Sequence, residues 1–217
     1  MTSFDDPAFK VAEFLLQIKA VKLQPEHPFT WASGLKSPIY CDNRKTLSYP
    51  QIRTYIRQHF VEKINEHFGK PDAIAGVATG GIAQGVLVAQ EMGLPFVYVR
   101  SEAKKHGMTN LIEGDVESGQ KIVVIEDLIS TGGSSLKAVK ALREKGCSVK
   151  GMAAIFTYGF DEAIQNFEID KCSLETLTDY DTLIKAALQR EYITEKDVKS
   201  LQKWRANPST WEESLVK

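Results

Sequence analysis

Glu126 and Asp127, followed by Ser130, Thr131, Gly132, Gly133, Ser134 and Ser135, place two kinds of chemistry side by side. Adjacent carboxylates accept hydrogen bonds from hydroxyl groups. A run of small residues offers hydroxyls and unobstructed backbone N–H groups that can wrap an anion. Ahead of the acids, Ile122-Val123-Val124-Ile125 is apolar and β-branched without polar alternation, which predicts a strand covered on both faces. Behind them, Gly133 to Lys145 predicts a helix closed at Gly146. The acids therefore fall where a strand leaves its sheet, the edge at which open α/β sheets bind ligands. A helix start favours an anion by only roughly 0.3–1 kcal/mol per charge, so several N–H groups and hydroxyls must share the task. Carboxylates repel phosphate but suit sugar hydroxyls. A sugar phosphate satisfies both halves: Glu126 and Asp127 on the 2′- and 3′-hydroxyls, and the loop of Ser130, Thr131, Gly132, Gly133 and Ser134 on the 5′-phosphate, with Leu128 and Ile129 joining the two halves of the binding stretch. No Gly-Lys-Ser/Thr occurs here and no Gly-x-Gly-x-x-Gly follows a strand, which excludes a P-loop and a dinucleotide fingerprint. A plain capped helix after a buried strand needs neither the acid pair nor the Ser-Thr-Gly-Gly-Ser run.

Three further stretches carry candidate chemistry. Gly76-Val77-Ala78-Thr79-Gly80-Gly81-Ile82 again joins a strand end to a helix, and Thr79, Gly80 and Gly81 can turn N–H groups to an anion. Arg100-Ser101-Glu102-Ala103-Lys104-Lys105-His106-Gly107-Met108-Thr109-Asn110 is charged and follows a strand end. By charge alone it reads as a solvated loop. At this sheet edge it can serve as a basic lid that closes over an anion and excludes water. The segment from Phe29 to Arg44 holds Ser33-Gly34 and Ser37-Pro38 in a short hairpin expected over Phe29 to Asn43.

The elements that position these residues follow from periodicity. A helix is expected from Pro7 to Val21, with Asp5 or Asp6 as its cap, and a long amphipathic helix after Ser48-Tyr49-Pro50, with Ser48 as its cap. Strands are expected at Ala73–Ala78, Phe96–Arg100, Ile122–Ile125, Val149–Tyr158 and Cys172–Leu177. Helices are expected at Gly81–Met92, Gly133–Lys145, Tyr180–Arg190 and Glu195–Ala206, before a loose tail from Pro208 to Lys217 anchored by no binding role. Alternation of this kind predicts an α/β fold: a parallel sheet flanked by helices. The 217 residues suffice for one such domain, and no linker is visible. With 43% hydrophobic and 25% charged residues and a net charge of −1, the chain is expected to be globular, with neither nucleic acid nor membrane as partner. Cys41, Cys147 and Cys172 form neither a disulfide framework nor a zinc spacing, which suits a reducing, cytoplasmic compartment. The acidic N-terminus lacks the layout of a signal peptide.

The stretch Ile122 to Ser135 closely resembles the phosphoribosyl-diphosphate (PRPP) signature of the type I phosphoribosyltransferases. The Ser33-Gly34-x-x-Ser37-Pro38-x-Tyr40 core resembles the hood of the orotate phosphoribosyltransferases, which separates them from purine enzymes. Together these similarities cover about residues 10 to 190. The resemblance implies a type I phosphoribosyltransferase fold in a single domain over 1–217, with a hood over about 20–47 and a helical C-terminal extension over about 179–217. It implies transfer of phosphoribosyl from PRPP to orotate in pyrimidine (UMP) synthesis, with Mg2+ held mainly through PRPP and water and with no direct protein ligand. Thr79, Gly80 and Gly81 would bind the pyrophosphate part. Arg100, Lys104 and His106 match basic positions of that family's catalytic loop, which reaches into a neighbouring subunit and so implies a homodimer. Lys104, His106 and Asp127 are the implied catalytic residues, and Ser130, Lys36 and Arg44 are candidates for orotate. The chain departs from many members at Ser101, where a lysine follows the arginine, at Ala32, where a lysine contacts substrate, and at Thr157-Tyr158, where an arginine stands. Relatives acting on a purine or uracil, and a PRPP-sensing regulator without catalysis, are the competing readings; the hood opposes the first and the lid's Lys104 and His106 the second.

Overall fold

The structure, a computed structural model, describes residues 6–31, 34–100 and 111–211. Helix α1 (Pro7–Gln17) starts at Asp6, whose side chain accepts from the Ala8 N–H at 3.0 Å, with proline in the first turn. It is shorter than its apolar periodicity suggests. Lys19 takes a left-handed φ of 55° that turns the chain, and Val21 enters a strand instead. Strands β1 (Val21–Leu23), β2 (Phe29–Thr30), β3 (Lys36–Ser37) and β4 (Ile39–Cys41) form two antiparallel ladders, β1 with β4 and β2 with β3. The expected hairpin is therefore nested inside a second ladder whose outer strand begins at Val21, the last residue of the segment read as helix.

A 3-10 turn (Asn43–Ser48) precedes α2 (Pro50–His67). Its N-cap is Tyr49 and no side chain caps it. Ser48, expected as the cap, belongs to the preceding turn instead. The helix buries Ile52, Ile56, Phe60 and Ile64 at helical spacing. From here strand and helix alternate, with β7 and α5 added to the expected elements: β5 (Ala73–Val77), α3 (Gly80–Met92), β6 (Phe96–Val99), β7 (Ile112–Glu113), β8 (Lys121–Ile129), α4 (Gly133–Glu144), β9 (Ser148–Thr157), α5 (Asp161–Ile169) and β10 (Leu174–Asp179). The six strands are ordered β10-β9-β8-β5-β6-β7. The β6–β5, β5–β8 and β8–β9 pairs are parallel, and β7 runs antiparallel to β6 at one edge.

All five residues of β5 are buried, as a strand with both faces covered requires. One face packs Ala75, Val97, Ile122 and Val124 with Leu136, Val139 and Leu142 of α4 and Phe167 of α5. Helix α3 packs on β5 and β8, and α2 on α3 and β9. Helix α4 ends with Gly146 at φ 92°, the closing glycine the sequence predicts.

Contacts divide the chain into two compact units, one of residues 47–177 holding the sheet and one of residues 1–46 with 178–217. In the latter, α6 (Tyr180–Gln189) packs on α1, and α7 (Glu195–Ala206) packs on α6. Asp179 caps α6 by accepting from the Thr182 N–H at 2.8 Å, and Thr194 with Asp197 forms a capping box at α7. Trp204 is fully buried between Trp31 and Tyr180, with ring centroids at 5.7 and 5.8 Å. Trp211 is 2% exposed and its indole N–H donates to the Ser200 carbonyl at 3.1 Å. The start of the tail is thus pinned rather than loose. Among the described residues no helix is long and apolar enough to cross a membrane.

Candidate functional site

Strand β8 extends four residues beyond the predicted Ile125, and the reason lies in its two neighbours. Its pairing with β5 stops at Ile125 opposite Gly76, whereas its pairing with β9 continues to Ile129 opposite Thr157. Glu126 and Asp127 are therefore still strand on one side and already past the end of the sheet on the other. Their side chains point to opposite faces, as strand geometry demands. Glu126 turns inward and is 6% exposed. One carboxylate oxygen (Oε1) accepts the Asp127 N–H at 3.0 Å, and the other (Oε2) accepts the Ser135 hydroxyl at 2.8 Å. Burial, and then the neighbouring Asp127 charge, push the Glu126 carboxyl up to about 8, against the pull of those two donors.

Asp127 is half-buried and lies against the start of α3. A side-chain carbon at Gly80 would overlap the Asp127 carboxylate, and one at Gly81 would overlap the Ile125 carbonyl. Glycine at both places lets this turn approach the end of β8. The Ala78–Thr79 peptide is cis, and the Ala78 N–H donates to the Val99 carbonyl at 2.8 Å, tying the turn to β6. The Thr79-Gly80-Gly81 turn and the acid pair, read as separate motifs in the sequence, form one surface at the carboxyl edge.

Beyond the acids, Leu128 is half-buried, and Ile129 is fully buried in the core, so that only its backbone is left for a ligand. Ser130 and Thr131 are half-buried. Gly132 has φ 82° and opens α4 without a side-chain cap. Gly133 and Ser134 are exposed, and the space beside Gly133 is empty to 4 Å. An uncapped first turn with open space beside Gly133 leaves its N–H groups room for an anion. The loop is backed by residues that sequence reasoning missed. Asn166 donates its amide to the Thr131 carbonyl at 2.9 Å, and the Phe167 ring lies within 2.7 Å of where a Gly132 side chain would begin. Both belong to α5, which was not anticipated. Ser135, grouped in the sequence with the anion-wrapping run, instead donates its hydroxyl to Glu126.

Arg100 follows β6 at the same edge. Its N–H donates to the Leu111 carbonyl at 2.9 Å, and its guanidinium faces Glu113 of β7 at 3.4 Å. Lys104 and His106, like Ser101 and Ala32, lie outside the described residues. Lys36 and Arg44 belong to the other unit. There the Lys36 ammonium donates to Thr30 Oγ1 at 2.9 Å, and Arg44 pairs with Asp42 at 2.7 Å, holding that carboxyl below its usual range. Thr157 accepts from the Gly159 N–H at 3.0 Å. Among the described residues, no group of three or more His, Cys, Asp or Glu is placed to hold a metal ion.

The phosphoribosyl transferase domain family matches residues 48–190, so the sheet and the loops at its carboxyl edge are those of a phosphoribosyltransferase. The orotate phosphoribosyltransferase of Porphyromonas gingivalis is 60% identical over 201 residues, which is 93% of this chain and 96% of that one. The solved orotate phosphoribosyltransferase of Aeropyrum pernix is similar at a TM-score of 0.74 and 26% identity, over 84% of this chain and 99% of that one. The UMP synthase of Leishmania donovani is similar at a TM-score of 0.74 and 26% identity over 91% of this chain, which spans 42% of that protein's length. The chain belongs to the orotate phosphoribosyltransferases.

Proposed function

We propose that the chain transfers the phosphoribosyl group of PRPP to orotate, giving orotidine 5′-phosphate and pyrophosphate for UMP synthesis. The observation that carries this reading is the close approach of Asp127 to Gly80, with the open α4 start a few residues further on. A ribose held by Glu126 and Asp127 would then have its 5′-phosphate at Ser130 to Ser134 and its pyrophosphate at Thr79 to Gly81. Cleavage at the anomeric carbon builds positive charge on the sugar ring. Asp127 would offset that charge, while Glu126, largely buried, would fix the direction of approach. Ser130, Lys36 and Arg44 are the residues we assign to orotate.

The departing pyrophosphate needs positive charge around it. Arg100 supplies part, and Lys104 and His106 are assigned the rest. The donor set also fits a divalent ion, Mg2+. An adjacent carboxylate pair that no His, Cys, Asp or Glu among the described residues extends to a group of three does not make a protein cage, and Mg2+ favours substrate oxygens and retained waters. Held mainly through PRPP and water, it would neutralise charge on the leaving group. We further assign the chain to a cytoplasmic homodimer whose lid, the stretch from Arg100 to Asn110, serves the neighbouring subunit, with residues from about 20 to 47 as its hood and from about 179 to 217 as a helical extension.

Loss of orotate absorbance on mixing protein and PRPP tests the reaction. Loss only with Mg2+ supports the donor, the base and the metal together. No loss with orotate, but consumption of adenine, hypoxanthine, xanthine or uracil, would move the assignment to another base. The shared lid has its own test: Lys104→Ala and Asp127→Asn chains, each inactive, recover activity when mixed only if one subunit's lid completes another's site.

A further inference from the structure

We propose that Ser135 is a positioning residue of this site, its buried hydroxyl bracing the Glu126 carboxylate so that the acid pair and the 5′-phosphate loop keep a fixed spacing. The inference rests on the reading of this edge as a ribose-phosphate site. Ser135 is 2% exposed in the first turn of α4, and its partner Glu126 is 6% exposed on β8. Between them runs the loop from Asp127 to Ser134, which would grip the phosphate. Glu126 joins the far ends of that loop. One oxygen takes the Ser135 hydroxyl at 2.8 Å, and the other takes the Asp127 N–H at 3.0 Å.

The same contacts reach further. The Asp127 backbone is held by Glu126, and the Asp127 carboxylate in turn lies against Gly80. A continuous path thus runs from the α4 start through Ser135, Glu126 and Asp127 to the pyrophosphate turn. A carboxylate offers about four acceptor positions, so two internal donors orient Glu126 without exhausting it. Without the hydroxyl, one oxygen of a buried carboxylate loses its partner, and the acid either turns or holds its proton more tightly. Either response shifts the acceptors that face the ribose. A serine this early in a helix need not bond here; its hydroxyl could instead turn back to its own helix.

Ser135→Thr and Ser135→Val test the brace, since the two side chains share a shape and differ only in the hydroxyl. The probe is ribose 5-phosphate, measured by titration calorimetry, with KM for PRPP, KM for orotate and thermal midpoints alongside. The valine variant is expected to bind ribose 5-phosphate, and to show a KM for PRPP, weaker by roughly tenfold or more than the threonine variant. Its KM for orotate should stay within about twofold of the threonine variant's. Equal affinities in the two variants would overturn the proposal, as would a lowered midpoint with unchanged affinity, which marks helix packing alone. Should the branched side chains prevent folding, Ser135→Ala is expected to show the same loss of ribose 5-phosphate binding, and wild-type affinity in it counts against the brace. A wild-type chain that binds ribose 5-phosphate yet consumes no orotate would sink the functional reading and leave the Ser135 comparison decisive on its own. A wild-type chain that does not bind ribose 5-phosphate overturns both.

Discussion

At Gly80 a hydrogen stands where any other residue would put a carbon into the Asp127 carboxylate. Gly80→Ala must therefore move either the turn or the acid. Misplacing a reacting group by about 1 Å costs on the order of a hundredfold, so kcat/KM for PRPP is expected to fall by about that factor. A near-wild-type rate in a folded Gly80→Ala protein would separate Asp127 from the chemistry. Glu126 makes a different prediction. Its carboxyl is raised from an ordinary 4.5 to about 8 in the folded chain, so between those values the folded state holds a proton that the unfolded chain has released. Stability should then fall as pH rises through that window, because the folded state binds more protons there. Glu126→Gln carries no titrating proton and is expected to flatten the fall. Urea midpoints for both proteins across the window check this, and parallel slopes would mean that Glu126 does not titrate as its burial implies. The residue types alone give Glu126 and Asp127 the same hydroxyl-accepting chemistry; their opposite orientations on one strand make one a buried anchor and the other a half-buried acceptor.

The elements show what periodicity can and cannot reveal. The long runs at α2, α3 and α4 and the apolar strands β5, β8 and β9 were legible because each buries a full face or stripe. Helix α5 was not. It buries Ala163 and Phe167 while leaving Ile164 and Ile169 at 51% and 76% exposure, so its apolar residues trace no stripe. The ladders β1–β4 and β2–β3 are two or three residues long, too short for alternation to register. The end of β8 was misplaced because the sequence cannot say that β9 pairs four residues further than β5. Caps divide the same way: Asp6 makes its expected bond and Ser48 lies in a 3-10 turn, while Asp179 and Thr194 are caps that only the structure reveals. Replacing Asp179 or Thr194 with alanine is expected to cost about 1 kcal/mol each, and Ser48→Ala less than about 0.5 kcal/mol. Chemical denaturation of the three variants measures this, and an equal loss at Ser48 would contradict its place outside α2.

Across the whole molecule, one compact unit is assembled from both ends of the chain, residues 1–46 and 178–217. No linker could mark it in the sequence, since its parts meet only after folding. That unit also holds every tryptophan of the chain, Trp31, Trp204 and Trp211. Trp204 is its packing centre: the side chain is fully buried, Trp31 meets it edge-on, and Tyr180 lies beside it with its hydroxyl donated to the Leu201 carbonyl at 2.9 Å. Removing a buried indole leaves a cavity that neighbouring rings can fill only in part, so Trp204→Ala is expected to destabilise this unit by roughly 3–5 kcal/mol. Fluorescence reports on this unit alone and circular dichroism on all the helices, so unfolding followed by both probes locates the loss. A large drop in the denaturation midpoint read from Trp31 and Trp211 is the expected result. An unchanged fluorescence midpoint would mean that the Trp31–Trp204–Tyr180 cluster does not hold the unit together, and that its stability must be sought in the α1–α6 packing and the ion pair between Glu13 and Arg190.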